Sequence, residues 1–232
     1  MKNPIIVALD VPSAAEARAM VKRLGASVNF YKVGLELFVA EGPAFVKELV
    51  GEGRQVFVDL KMFDIGEQVR RAASRVAALG ASLLTVHSSP QVIRAAMAGA
   101  AGSNLKILAV TVLTSFDDQD VADLGVSGRT SAEQVEFLAG RGRAAGVDGF
   151  VCSPLEVARL REISGPERLL VVPGVRSAEA DKGDQKRVAT PAEAMNSGAT
   201  YLVIGREITR SADPAGTARR ILDDLQRVYR TS

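Results

Sequence analysis

An acid, a lysine and a second acid stand close together in the run DLKMFDIG: Asp59, Lys61 and Asp64. The run follows a short β-branched and aromatic segment that reads as a strand. Residues two apart on a strand point the same way, so Asp59 and Lys61 share one face. Asp64 falls just beyond, where the strand gives way to a helix. The pattern predicts an acid, an ammonium and a second acid converging at a strand's carboxyl end. At about 4 Å and an effective dielectric near 20, each opposite neighbour favours the charged form by roughly 4 kcal/mol. Lys61 between two carboxylates is therefore expected to stay protonated. A fixed ammonium suits delivery of a proton to a forming carbanion. A carboxylate beside it would repel an anionic substrate group and favour its loss as CO2.

Composition removes competing chemistries. The chain has 232 residues, 47% apolar and 24% charged, with a net charge of +2. That is enough for one large domain with a substantial core. No basic excess asks for nucleic acid, and the calculated pI of 8.8 reflects a small, dispersed surplus. One histidine and one cysteine cannot form a zinc site of the usual Cys/His kind, and no metal is expected. One cysteine also excludes an intrachain disulfide, which fits a reducing compartment. No apolar run reaches the ~18 residues of a membrane span, and a strand begins too early for a signal peptide, so a cytoplasmic protein is expected. Neither a GxGxxG nor a GxxxxGK[ST] loop is present, and no GxSxG elbow accompanies His87. Catalysis must come from lysine and carboxylates.

These side chains need a scaffold. Strands are expected at Ile5 to Leu9, Asn29 to Val33, Gln55 to Val58, Leu83 to Val86, Lys106 to Val110, Gly149 to Val151, Leu169 to Val172 and Tyr201 to Ile204. Alanine-rich amphipathic stretches alternate with them, among them Ser13 to Leu24, Ile65 to Leu79, Gln91 to Ala100 and Ala132 to Ala145. Ser13 with Glu16 makes a capping box, and Asp213-Pro214 opens the last helix. Eight strands alternating with helices predict a single α/β domain, a (β/α)8 TIM barrel over residues 1–232, with a doubly wound open sheet as competitor. Pro173 to Ala189 is the longest irregular stretch, and its polarity predicts a functional lid.

In such a barrel the active site lies where the strands end. That rule places Asp10, Lys32, Asp59 and Lys61 at one rim. Singly, Lys32, Asp59, Lys61 and Asp64 are each as readily members of a structural ion-pair network. Together, at successive strand ends, they favour function. Strand seven leads into Pro173-Gly174-Val175-Arg176 and strand eight into Gly205-Arg206. Loops at these two positions often bind phosphate, and an arginine can grip two oxygens, although Gly174 and Gly205 would also suit plain turns. Thr114 and Ser115, after strand five, could bind a ligand or cap a turn, with Thr114 the better placed. His87 reads as a supporting residue and Cys152 as a small buried hydrophobe.

Taken in order, ALD at Asp10, YKVG at Lys32, DLKMFDI, TVLTS at Thr111 to Ser115, PGVR, GDQKR and IGREIT resemble the orotidine 5′-monophosphate decarboxylase family, essentially end to end. That resemblance implies a cofactor-independent lyase that converts orotidine 5′-monophosphate to UMP and CO2. Lys61 would protonate C6, with Asp59 facing the substrate carboxylate. Lys32 and Asp64 would complete a charged tetrad, while Asp10 and Lys32 held the ribose. Thr114 would contact the pyrimidine, and Gln185 and Arg206 would bind the phosphate from the seventh and eighth loops. Asp64 and Ile65 would reach into a partner's site, which makes the active unit a homodimer.

One departure stands out. The family motif usually continues with Ile-Pro and a threonine four residues after the second acid, but this chain has Gly66 and Gln68 there. The Gly66-Glu67 variant is similar to a sister barrel, the magnesium-dependent aldolase 3-hexulose-6-phosphate synthase, which carries an acid in place of Lys32. That aldolase is one alternative. A non-catalytic barrel that only binds a phosphorylated ligand is another.

Overall fold

Eight short β-branched runs close on themselves in the computed structural model, which describes residues 3–177 and 189–231. The strands are β1 (Ile5–Ala8), β2 (Phe30–Val33), β3 (Gln55–Met62), β4 (Leu83–His87), β5 (Lys106–Val110), β6 (Gly149–Val151), β7 (Leu169–Val172) and β8 (Tyr201–Ile204). They pair in chain order into a closed barrel, β8 returning to β1, and every pairing is parallel. Closure settles the choice between a barrel and an open sheet, which periodicity alone leaves undecided.

The helices are α1 (Ala14–Leu24), α2 (Leu35–Gly51), α3 (Gly66–Ala78), α4 (Pro90–Ala100), α5 (Asp118–Asp123), α6 (Ser131–Ala144), α7 (Val157–Ser164), α8 (Pro191–Asn196), α9 (Arg206–Thr209) and α10 (Pro214–Thr231), of which α1, α3, α4 and α6 match the four expected stretches to within a residue and α10 starts at the expected Pro214. The Ser13 hydroxyl accepts the Glu16 N–H at 3.3 Å and starts α1, satisfying one orphan donor of the first turn. Asp213 does the same for α10 by accepting from Gly216 N–H at 2.9 Å. Helix α2 is broken at Gly42 (φ 66), just before Pro43. Glycine reaches that left-handed angle at little cost, and proline cannot continue the ladder. Among the described residues no helix is long and apolar enough to cross a membrane.

Strand side chains alternate between two buried layers. Ile6, Ala8, Phe30, Phe57, Leu83, Leu108, Val171 and Val203 form the cluster inside the barrel. Their neighbours Val7, Tyr31, Val56, Val58, Leu84 and Val86 pack outward against the helices. Fully burying one such aliphatic side chain contributes roughly 1.5–3 kcal/mol. Gly149 shows how tightly the strands approach, because a Cβ there would collide with the Leu169 carbonyl of β7. An alanine at 149 would force β6 and β7 apart.

Strand β3 departs from expectation in a way that matters for the site. It runs on to Met62, so Asp59 and Lys61 lie within it and not beyond it. Its register against β4 also slips. Val58 pairs with Leu84 and Met62 with Val86, four residues of one strand against two of the other. The extra length is taken up at a bulge, and Lys61 adopts φ 47, the only non-glycine residue with positive φ among those described. Such a conformation costs of order 1–3 kcal/mol and persists only where its surroundings enforce it.

Candidate active site

The inner layer of the barrel becomes polar at its carboxyl end. Two residues on from Phe30, Phe57 and Leu83 of the inner cluster stand Lys32, Asp59 and Thr85, and the two-residue period aims all three inward. Asp10, two on from Ala8, adds a carboxylate from the first rim. The side chains form a continuous chain of charge. Lys32 Nζ lies 2.9 Å from Asp10 Oδ1 and 3.6 Å from Asp59 Oδ2. Lys61 Nζ lies 2.9 Å from Asp59 Oδ1. The side chains of Asp59 and Lys32 are 13% and 12% exposed, so little water screens their attraction.

Burial alone pushes the Asp59 carboxyl up. The ammonium charges of Lys32 and Lys61, with hydrogen bonds from Lys61 and Thr85, outweigh it and hold the carboxyl below its ordinary range. Asp59 is thus an obligate carboxylate at neutral pH. Lys61 is positioned by that anion, and its side chain is 30% exposed toward the barrel mouth.

Beside Lys32 opens a cavity of about 600 Å3, whose lining includes Asp10, Lys32, Gly174, Arg176, Gly205 and Arg206. The loops after β7 and β8 therefore meet the β1 and β2 rims at one site, as the barrel rule predicts. Gly174 has φ 77 and serves a turn as well. Gly205 has an ordinary φ of −109. A Cβ there would meet Ala8 at 3.5 Å and Asp10 Oδ2 at 3.9 Å, both ordinary contacts, so space alone does not demand glycine. Arg176 donates to the Val175 carbonyl at 2.7 Å. Arginines in that lining, Arg176 and Arg206 among them, and the Asp10–Lys32–Asp59–Lys61 chain reached through Lys32, suit a small phosphorylated anion.

Not every expected residue joins this group. Within one chain Asp64 is exposed and accepts its neighbour's Ile65 N–H at 2.6 Å. Among the described residues it makes no ion pair with Lys61, so the second acid of the motif does not converge with the first. Asp64 lies in the short connection between the end of β3 at Met62 and the start of α3 at Gly66. Ile65 is likewise 68% exposed. Thr114 and Ser115 occupy the turn after β5, half-buried and outside the cavity lining. Gln185 and most of the Pro173 to Ala189 stretch lie outside the described residues. The base of that stretch is pinned by a bridge between Val175 and Ala189 and by the Arg176 N–H donating to Ala189 at 3.0 Å.

His87 stacks edge-on against Phe63, ring centres 5.4 Å apart, with its outer edge open to solvent. Burial and the nearby Lys61 charge lower its pKa. Cys152 is 1% exposed, a core residue as expected.

Two contributors escape sequence reasoning. Thr85 is fully buried and donates to Asp59 Oδ1 at 2.8 Å. Its signal was a polar residue inside the apolar run LLTV, but a strand threonine is common enough to pass unremarked. Gly34 sits under the Lys32 ammonium, where a Cβ would come within 2.8 Å of Nζ. Among the described residues no three His, Cys, Asp or Glu side chains gather as a metal site.

Comparison with known proteins supplies the remaining constraint. Residues 3–221 match the family model described as Orotidine 5'-phosphate decarboxylase / HUMPS family. The chain is 50% identical over 224 residues to the orotidine 5'-phosphate decarboxylase of Rhodopseudomonas palustris, covering 97% of this chain and 94% of the relative. It is 48% identical over 221 residues to the same-named protein of Caulobacter sp., with 95% and 96% covered. The crystal structure of orotidine 5'-phosphate decarboxylase from Lactobacillus acidophilus superposes with a TM-score of 0.86 at 37% identity, covering 97% of this chain and 99% of that one.

Proposed function

From its membership of the Orotidine 5'-phosphate decarboxylase / HUMPS family, to which the chain belongs, we infer an enzyme that decarboxylates orotidine 5′-monophosphate to UMP and CO2. The observation that carries the reading beyond family membership is the charge chain Asp10–Lys32–Asp59–Lys61 beside an arginine-lined cavity. Arg206 and Arg176 take the phosphate, with Gln185 joining them. Asp10 and Lys32 hold the ribose hydroxyls, and Thr114 meets the pyrimidine. That pose sets the substrate carboxylate against Asp59.

Two anions forced together raise the energy of the bound substrate, and loss of neutral CO2 relieves it. The C–C bond breaks with its electron pair left on C6. Lys61 then gives C6 its proton and recovers one from solvent, so one proton is consumed per turnover. Preorganisation matters more than any one charge here, because Lys61 is fixed before the carbanion forms. No cofactor enters this scheme.

Asp64 and Ile65 act across a homodimer interface. Support for this comes from the exposure of Ile65 and of Phe63, at 68% and 70%, on either side of Asp64. Large apolar side chains clustered at an active-site edge are suited to burial by a second copy.

The aldolase alternative loses ground on two observations. A cation, Lys32, lies between Asp10 and Asp59, where it would repel a magnesium ion. Glu67, the residue that suggested the aldolase, is held on the surface of α3 by Arg70 at 2.8 Å and Arg71 at 2.6 Å. The deciding experiment follows orotidine 5′-monophosphate by its ultraviolet absorbance in excess EDTA. Stoichiometric UMP and CO2 are expected. A protein silent here, yet active on hexulose phosphate with magnesium, would belong on the aldolase branch. UMP binding without turnover of either substrate would leave a binding barrel.

A further inference from the structure

Thr85 stands opposite the bulge of β3. In a regular parallel ladder the Lys61 N–H would face β2, as the Gln55 N–H that donates to Asn29 does. The register slip between Val58 and Met62 turns it toward β4, where the ladder offers it no carbonyl. Instead the Lys61 N–H donates to Thr85 Oγ1 at 3.0 Å. An N–H can only donate and a carboxylate can only accept, so the hydroxyl's own hydrogen is committed to Asp59 Oδ1, 2.8 Å away. One oxygen therefore ties the backbone of Lys61 to the side chain of Asp59, at the residue whose left-handed backbone most needs support (φ 47). Asp59 Oδ1 in turn receives both Thr85 and the Lys61 ammonium.

We propose that Thr85 is a positioning residue for decarboxylation: its hydroxyl holds Lys61 in the left-handed conformation that aims the ammonium into the barrel, and fixes the Asp59 carboxylate beside it. The inference rests on the decarboxylase reading above, because it assigns Thr85 no purpose apart from Lys61 and Asp59. Without the hydroxyl, Lys61 loses its amide partner and its conformation is no longer enforced. Substrate binding depends on other groups, the arginines and Asp10, and is spared. A misplacement of about 1 Å at a reacting group costs on the order of 10²-fold in rate.

The test compares Thr85→Val, which keeps the shape and removes the hydroxyl, with Thr85→Ser, which keeps the hydroxyl and removes the methyl. Wild-type protein is assayed first. Its failure to turn over orotidine 5′-monophosphate would sink the decarboxylase reading and this inference with it. With an active wild type, the expected result is kcat down about 10²-fold in Thr85→Val, with KM and UMP affinity within about threefold. Thr85→Ser should return kcat to within about tenfold of wild type. Asp59, followed by 13C-carboxyl NMR, should titrate higher in the valine variant and near its wild-type value in the serine variant. Wild-type kcat in Thr85→Val overturns the proposal. So does an equal loss in both variants, which would assign Thr85 to packing alone. Should Thr85→Val fail to fold, Thr85→Ala with UMP affinity as its folding check takes its place under the same criteria.

Discussion

Gly34 lies so close to Lys32 that a Cβ at 34 would come 2.8 Å from the Lys32 ammonium and 3.3 Å from Asp10 Oδ1. The backbone at 34 is extended (φ −92, ψ −174), so the constraint is space and not conformation. Gly34→Ala should therefore leave folding nearly intact, because the far end of a lysine moves easily, while breaking the Lys32–Asp10 pair. Turnover is expected to fall roughly tenfold, with a Tm within a few degrees of wild type, as steady-state kinetics and thermal denaturation would show. Unchanged kinetics would show that the Lys32–Asp10 contact is dispensable.

Lys61→Ala removes the proposed proton donor but none of the groups that line the cavity. Decarboxylation should drop by at least about 10³-fold, while UMP binding measured by calorimetry stays within a few fold. A mutant that retains comparable turnover would exclude Lys61 as the donor.

Arg206→Ala should discriminate between ligands. UMP affinity is expected to fall by about 10- to 100-fold and uridine affinity hardly at all, because only the former presents a phosphate to a guanidinium. Equal losses for both ligands would remove Arg206 from phosphate recognition.

His87 links stability to pH. Its folded pKa is lowered by burial and by Lys61, so below the ordinary value of about 6.5 the unfolded chain binds the proton more readily than the folded one. The stabilisation is complete above that value and is lost as pH falls through the folded pKa. Wild-type Tm should decline from about pH 7 toward pH 5, and His87→Asn should flatten that slope. Parallel Tm profiles for the two proteins would contradict this assignment.

Complementation tests the shared site. If each site takes Lys61 from one chain and Asp64 from its partner, Lys61→Ala and Asp64→Ala proteins are each inactive. Mixed and exchanged, they form heterodimers with one intact site, and about a quarter of wild-type activity should return. No recovery after verified subunit exchange would place Asp64 in its own chain's chemistry.

Much of this could be read in one dimension. The β-branched runs, the alanine-rich helices and the Ser13 and Asp213 caps report local preferences, and local preferences are written residue by residue. Asp10, Lys32 and Asp59 were legible too, because a strand's two-residue period and the barrel rule together assign them to one rim. What the chain order could not hold is register. Strand β3 continues past its apolar residues through DLKM because a bulge lets it keep pairing with β4, and that bulge turns Lys61 left-handed and leaves Asp64 in the connection to α3. Thr85 and Gly34 acquire their significance the same way, from what stands across from them and not from what adjoins them. Side-chain type and spacing chose the groups. The distances that make them a site, 3.6 Å from Lys32 to Asp59 and 2.8 Å from Thr85 to Asp59, exist only once β2, β3 and β4 pair in their observed register, because contact between residues 26 apart in sequence is a property of packing.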